Sequence, residues 1–350
     1  MVHGYWRWKV SSDVTWEQRW HPLLRRWVTI TSHRGGRPWV GQNAEPENRE
    51  GVAFDAECYL CPGNVRVNGL QNPDYSSIYC FDNDHPALGK APPVSEPPHP
   101  FYRSMEASGQ CRVMCYHPHH SRRLSELEPH EMEQVVLSWA HQTEELTAAG
   151  WEQVFIFENN GSVVGVSNPH PHCQIYAFPF AVDSIQREIE AAKAHYEKAK
   201  RSLFDEIKEA ERLDGRRILL DEHDWTVFVP YFAQFPFEMM LLPHRNMATL
   251  AEATDAELKG LAGALKVSLQ RLDRVLGQAQ SYILSIHQAP SAWLRAEAPG
   301  AYSTYVHIQP FLRAPSLQKF LAGIETAAGQ FLNDAAPEEH ADALRRVVLA

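Results

Sequence analysis

The sequence predicts an α+β protein made of two related halves, whose strands merge into one large, mostly antiparallel sheet flanked by helices. Three observations predict this. A chain of 350 residues is comfortable for two domains and long for a single simple one. The order strand, Pro-His turn, helix, strand, loop, His-bearing strand occurs twice. The two occurrences also align around their turns. With one residue of slip, Pro118-His119-His120-Ser121 overlays Pro243-His244-Arg245-Asn246, and Leu124/Leu250, Glu126/Glu252 and Glu131/Glu257 fall into register. The halves are placed at residues 1–180 and 181–350, with the helices expected on one side of the joint sheet.

Taken in order, Trp27-Val28-Thr29-Ile30 is a β-type run, and His33-Arg34-Gly35-Gly36-Arg37-Pro38-Trp39 demands a loop. Residues 58–75 are turn-rich. The proline-dense stretch 91–100 can be neither helix nor central strand, because each proline lacks a ladder donor. Cys111–Tyr116 is a strand by alternation and β-propensity. A helix is expected from about Glu128 to Thr147, then a strand from Trp151 to Phe157 and a turn at Glu158-Asn159-Asn160-Gly161. His170–Ala177 is a strand. Ser184 to Glu211 is a single long, charged, glycine-free helix ended by Asp214-Gly215. The second half supplies strands at Trp225–Val229, Phe237–Leu242, Tyr282–Ile286 and Tyr305–Gln309, and a helix from Asp255 to Leu276.

Composition excludes several functions. The hydrophobic fraction of 44% and charged fraction of 22% are those of a globular chain. A net charge of −10 argues against a nucleic-acid partner, which needs a basic surface. No apolar run approaches the roughly 18 residues of a membrane span. The N-terminus lacks the apolar core of a secretory signal, so a cytoplasmic location is expected. Six cysteines are too sparse for a disulfide scaffold, and Cys58-Tyr59-Leu60-Cys61 suggests metal or redox chemistry instead.

The strongest chemical signal among the 18 histidines is His170-Pro171-His172-Cys173-Gln174. Neutral imidazole has a free lone pair near pH 7 and is a good nucleophile toward phosphorus. Pro171 biases His170 to an extended conformation and weakens the local ladder, which places this point at a sheet entrance. Gln174 shares the face of His172 on a regular strand, and its amide can donate to a phosphoryl oxygen without losing a proton. Taken alone, the motif is equally readable as a proline-punctuated surface turn. Cys58 and Cys61 have the spacing of a zinc half-site, with His120 and His170 as candidate partners in a filled, structural Cys2His2 set. Unligated thiols in a turn are the bland alternative. Arg34 and Arg37 flank two glycines in a loop able to receive an anion. Phe81, Asn83 and Asp84 suit a base and ribose. Each of these taken singly also reads as ordinary surface.

Together these residues resemble the galactose-1-phosphate uridylyltransferase family of the histidine-triad superfamily. The resemblance runs nearly end to end. It is carried by Ser32-His33-Arg34-Gly35-Gly36-Arg37-Pro38-Trp39, Cys58–Val67, Asn72-Pro73-Asp74-Tyr75, Phe157-Glu158-Asn159 with Gly161, Ser167–His172 with Gln174, Pro230–Glu238, and Lys319-Phe320 with Gly323 and Glu325. It implies two tandem histidine-triad-like half-domains and a ping-pong nucleotidyl transfer. His172 would take UMP from UDP-glucose as a uridylyl-histidine and pass it to galactose 1-phosphate, with Gln174 hydrogen-bonding the transition state. It implies structural zinc on Cys58, Cys61, His120 and His170. Sugar-nucleotide contacts would come from Arg37, Phe81, Asn83, Asp84, Asn159, Gly165, Val166, Ser167 and Gln174, with Arg34 beside them. Lys319, Phe320 and Glu325 would reach the hexose of a neighbouring subunit in a homodimer. Some members carry a second, iron-type site of one glutamate and three histidines. Glu188, His287 and His307 match it, but Tyr305 stands where the third histidine would be. The alternatives are a sister nucleotidyltransferase or phosphorylase acting on another sugar 1-phosphate or nucleotide, a silent zinc-stabilised binding protein, and a histidine-triad hydrolase. Gln174 argues against the hydrolase.

Overall fold

The structure, a computed structural model, describes residues 14–36, 51–93, 97, 99–294 and 300–349. Arg37 therefore lies outside the described residues. The strands in chain order are β1 (Trp16–His21), β2 (Arg26–Thr31), β3 (Tyr79–Asp82), β4 (Gln110–Cys115), β5 (Gln153–Asn160), β6 (His172–Phe178), β7 (Ile218–Glu222), β8 (Trp225–Phe228), β9 (Met239–Pro243), β10 (Tyr282–His287), β11 (Tyr305–Pro310), β12 (Leu312–Ala314), β13 (Leu317–Gln318) and β14 (Phe331–Asn333). The helices are α1 (Pro129–Ala148), α2 (Asp183–Ala199), α3 (Leu203–Asp214), α4 (Asp255–Val275), α5 (Ser291–Leu294), α6 (Gly323–Ala328) and α7 (Pro337–Arg345).

Nine strands form one sheet in the order β3-β4-β6-β5-β10-β11-β9-β8-β7, and every neighbouring pair is antiparallel. Counted outward from the central β5–β10 pair, the first half runs β5, β6, β4, β3 and the second runs β10, β11, β9, β8. The sequence order is the same in both, so the predicted duplication is the architecture of the sheet. The aligned turn residues do equivalent jobs. Leu124 and Leu250, both fully buried, start short 3-10 turns ahead of α1 and α4. Glu126 accepts from the amide of Arg123, and Glu252 from that of Ala248 (2.9 Å each). Glu131 and Glu257 occupy the third position of their helices and accept from the amides of Glu128 (2.7 Å) and Thr254 (2.8 Å), which satisfies an otherwise orphaned donor at each helix start.

The main core lies on one face of the sheet. Met132, Val135, Val136 and Trp139 of α1, and Leu261, Leu265, Leu269 and Leu272 of α4, pack on Ile156, Ile175, Leu284, Ile286, Val306 and Ile308. Each such fully buried aliphatic side chain contributes roughly 1.5–3 kcal/mol. Among the described residues, helices cover the other face too, but only in the C-terminal half. There Ala191, Ala192, Leu203, Phe204 and Ile207 of α2 and α3 pack on Phe228, Met240, Leu242 and Tyr305. The expected one-sided covering is thus corrected to two-sided. The expected 184–211 helix is broken into α2 and α3, and both lie on this face. Lys200 takes a left-handed φ of 56°, and Ser202 caps α3 by accepting from the Phe204 amide (3.2 Å). Ser202 is also anchored to the Ala301 carbonyl (3.3 Å). β9 starts at Met239 rather than Phe237 because Phe237 itself sits at φ 55°.

A separate three-stranded sheet, β1-β2-β14, joins the two ends of the chain, β14 running parallel to β2. It is anchored on the C-terminal half through Asn333, whose amide donates to the carbonyls of Ala233 (3.0 Å) and Phe235 (3.3 Å). No helix among the described residues is long and apolar enough to cross a membrane.

Candidate active site and metal centre

β6 alternates strictly. Cys173, Ile175 and Ala177 are buried toward α1, while His172, Gln174, Tyr176 and Phe178 are half-buried on the opposite face. That face is not covered by α2 and α3. His172 pairs with Cys115 of β4, and Gln174 lies between Val113 of β4 and Phe157 of β5. Asn159, two residues beyond Phe157, shares the face. His172 Nδ1 lies 2.7 Å from the backbone oxygen of His170. A carbonyl only accepts, so Nδ1 carries the proton and Nε2 keeps its lone pair. Gln174 Oε1 accepts from the Tyr176 hydroxyl (3.3 Å), which turns the amide so that its N–H groups are the free end.

The loop before His172 is shaped by Gly161, at φ 105°. A Cβ there would lie 2.2 Å from Ser281 Oγ, so only glycine allows the close approach of β5 and β10 at this point. The chain then makes a 3-10 turn, Ser162–Val164, and passes Gly165 (φ 76°). Gly165 and Ser167 are exposed and Val166 half-buried, whereas Asn168 and His170 are buried. The loop therefore presents one set of residues outward beside His172 and sends the other set into the Cys2His2 cluster.

Cys58, Cys61, His120 and His170 are all buried, and their ligand atoms lie within 4.8 Å of one another. Cys61 Sγ is 3.4 Å from His120 Nδ1 and 3.5 Å from His170 Nδ1, and Cys58 Sγ is 4.0 Å from His170 Nδ1. Tetrahedral zinc with Zn–S of about 2.3 Å and Zn–N of about 2.0 Å separates S from N by roughly 3.6 Å, so the four residues fit that ion. The outer contacts fit as well. His170 Nε2 is held by the His117 carbonyl (3.0 Å) and the Tyr75 hydroxyl (3.2 Å), and Asn168 stands 3.5 Å from Cys58 Sγ. In the bare pocket burial pushes the Cys61 thiol up to about 11 and the His170 imidazole down to about 4. The imidazole is thus neutral and ready to ligate, and the thiol needs a cation to ionise.

Phe81 stacks on Tyr79 (5.1 Å, 26°), which stacks on Tyr75. The guanidinium of Arg66 lies 4.2 Å over the Phe81 ring and 3.5 Å from Asp84, and Asn68 donates to Asp84 (2.6 Å). Asn83 accepts from the amide of His85 (2.9 Å). Arg66 and Tyr75 lie in blocks that carry the resemblance, but neither they nor Asn68 have a site role in the sequence reading. Their signal, clustering next to the Cys58–Cys61 turn, was present but had no spacing rule attached.

Arg34, Lys319, Phe320 and Glu325 are not on this sheet. Arg34 lies in a 3-10 turn after β2, 3.7 Å from Asp334, which follows β14. Lys319 and Glu325 are buried against each other (3.1 Å), and Lys319 also donates to the Leu332 carbonyl of β14 (2.7 Å). Phe320 is exposed. Within one chain these four gather around the small sheet on the C-terminal half, whereas Phe81 lies two strands from Gln174, across Val113 of β4, and Asn159 lies on β5 beside β6.

Glu188, His287 and His307 lie close together, with the His287 and His307 rings 5.8 Å apart between centroids, but their ligand atoms do not converge on one point among the described residues. Glu188 is fully buried and accepts from His287 Nδ1 (2.9 Å), the Tyr305 hydroxyl (2.8 Å) and the Tyr302 hydroxyl (2.7 Å). His307 Nε2 pairs instead with Glu238 (3.0 Å). The expectation of a second metal on these residues meets a carboxylate already served by three donors.

The fold and the site define a class of protein: a tandem half-sheet architecture whose open face carries a strand-borne imidazole beside a Cys2His2 cluster. Sequence comparison specifies the class. Residues 9–181 match the galactose-1-phosphate uridyl transferase N-terminal domain, and residues 188–350 match the C-terminal domain. The chain belongs to the galactose-1-phosphate uridylyltransferase family. It is 38% identical to the galactose-1-phosphate uridylyltransferase of Rattus norvegicus, over 93% of this chain and 86% of the relative. It is 37% identical to a probable one of Drosophila melanogaster, over 94% and 95%. Among solved structures, a uridylyltransferase at 27% identity superposes with a TM-score of 0.75, covering 94% of this chain and 97% of the other. An ADP-glucose phosphorylase from Arabidopsis thaliana, at 20% identity, shares the fold with a TM-score of 0.74, covering 96% and 100%.

Proposed function

We propose that this enzyme moves UMP between UDP-glucose and galactose 1-phosphate by a ping-pong route through a uridylyl group on His172. The observation that carries the reading is the Nδ1–H donation of His172 to the His170 carbonyl, which leaves Nε2 as the nucleophilic atom on the open face. Nε2 attacks the α-phosphorus, the P–N bond forms, and the P–O bond to glucose 1-phosphate breaks. The leaving group is a weakly basic phosphate, so no general acid is required. Nδ1 keeps its proton throughout, and the positive charge that develops on the ring is stabilised by the carbonyl it faces. Galactose 1-phosphate then attacks the same phosphorus through a phosphate oxygen, the P–N bond breaks, and neutral imidazole returns. Gln174 donates its amide N–H to the phosphoryl oxygens as charge develops. Being neutral and without a transferable proton, it does not activate water, which favours a lasting intermediate over hydrolysis.

Phe81, Asn83, Asp84, Asn159, Gly165, Val166, Ser167 and Arg37 are assigned to the sugar nucleotide. Arg34, Lys319, Phe320 and Glu325 are assigned to the site of a partner subunit in a homodimer, which accounts for their separation from His172 within one chain. Cys58, Cys61, His120 and His170 are assigned to structural zinc, whose ligand His170 also supplies the carbonyl that orients His172.

The test is incubation with UDP-glucose and no acceptor, followed by intact mass measurement. The expected result is the gain of one uridylyl group, absent in His172→Asn and discharged by galactose 1-phosphate. Turnover with no mass gain would overturn the covalent route. Repeating the labelling with ADP-glucose tests the nucleotide assignment, and preferential labelling from ADP-glucose would replace it.

A further inference from the structure

The match of Glu188, His287 and His307 to a metal site leaves open what holds a fully buried carboxylate in place if no cation does. A buried carboxylate is costly unless several donors compensate it. Glu188 has them. Its Oε1 accepts from His287 Nδ1 and from the Tyr305 hydroxyl, and its Oε2 accepts from the Tyr302 hydroxyl. His287 is itself committed, because its Nε2 faces the Ser285 hydroxyl at 3.0 Å. The Tyr305 ring stacks on His287 (4.4 Å between centroids, 24° between planes), which closes the space beside that imidazole. His307, the remaining candidate ligand, engages a different carboxylate. Glu238 holds it at 3.0 Å with one oxygen while the other accepts from the amides of Gln234 (2.7 Å) and Phe235 (2.8 Å). Among the described residues, the Cys58 cluster is the single group of three or more such side chains whose ligand atoms converge within 4.8 Å.

We propose that in this chain the second site is a metal-independent hydrogen-bonded knot, in which the Tyr305 hydroxyl takes the place of a cation on Glu188, and that Tyr305 is the residue that excludes metal. The knot ties α2, through Glu188, to the end of β10 and the start of β11. Burial of Glu188 is then compensated by neutral donors, so fastening this half of the molecule requires no ion. A histidine at 305 would replace the hydroxyl with a ring nitrogen able to ligate, beside a carboxylate and an imidazole already 2.9 Å apart.

The inference leaves the zinc assignment above as a separate matter, and metal counting distinguishes the two. Wild-type protein and variants are loaded with Zn2+ or Fe2+, passed through a desalting column and assayed for metal per chain. The wild type is expected to hold one equivalent, unchanged in Glu188→Gln and lost in Cys58→Ser, while Tyr305→His gains a second equivalent. A second equivalent in the wild type, lost in Glu188→Gln, overturns the knot. A Tyr305→His protein that folds and gains no metal overturns Tyr305 as the excluding residue. If a variant does not fold, the wild-type count alone decides, since two equivalents already contradict a single ion centre. A wild type holding none would defeat the zinc assignment and leave the knot standing.

Discussion

On β6 of the N-terminal half, His172 and Gln174 stand half-buried on the open face of the sheet. On β11 of the C-terminal half, Tyr305 and His307 stand on the same face, but Tyr305 is 3% exposed beneath α2 and α3. Both strands follow the same path through the same arrangement of elements. The difference is what lies above them. In the first half the loop from Gly161 to Pro171 folds toward a Cys2His2 cluster at the sheet end, and His172 stands half-buried. In the second half two helices descend on the sheet, and Glu188, His287, Tyr302 and Tyr305 beneath them are joined by hydrogen bonds. A shared scaffold therefore supports a half-buried face bearing His172 and Gln174 in one half, and a helix-covered polar core in the other.

The largest effect separates the two halves directly. His172→Asn is expected to reduce turnover by on the order of 10⁴-fold or more, as removal of a nucleophile does. His307→Asn is expected to change turnover of folded protein by less than about 10-fold, because its partner is Glu238 and not the open face. Steady-state kinetics on both variants checks this. A loss in His307→Asn as deep as that in His172→Asn would break the division of labour.

Much of this division was legible in the sequence, for local reasons. Glu131 and Glu257, in register between the halves, mark the duplication, and because capping acts within one turn their equivalent roles at the helix starts follow from the same local pattern. Cys58 and Cys61 lie three apart in one turn, and His170-Pro171-His172 carries its conformation in the proline. The rest depends on distance. β2 and β14 pair across some 300 residues, and nothing near Val28 indicates Phe331. Lys200 and Ser202 break a helix in a stretch without Gly or Pro, because the two segments must each lie on the sheet. Tyr302 reaches Glu188 from 114 positions away, so its part in the knot has no local signal.

A second prediction sharpens the contrast by removing metal. Zinc stripping, or Cys58→Ala, is expected to cost about 3 kcal/mol and to lower Tm by roughly 5 °C or more, since a buried metal site contributes folding energy. Hydrogen exchange should locate the loss on β3, β4 and β6, adjoining the cluster, and leave β9, β10 and β11 protected. Deprotection of β10 and β11 on stripping would mean that the second half also leans on an ion.

The smallest effect runs the other way and singles out the C-terminal half by acid. His340 on α7 is 4% exposed, with its ring 4.4 Å from that of Phe237, and its Nδ1 is buried with no hydrogen-bond partner. Burial lowers its pKa to about 3, only partly opposed by nearby Glu338. An unfolded histidine, at about 6.5, takes up a proton that the folded one refuses. The stability this group supports is therefore complete above pH 6.5 and falls as the pH drops toward 3. By pH 5 the unfolded chain is favoured by about 2 kcal/mol through this residue alone. Urea melts at pH 7 and pH 5 should show the wild type losing that amount beyond what His340→Leu loses. The same pH dependence in both proteins would show that the proton goes elsewhere.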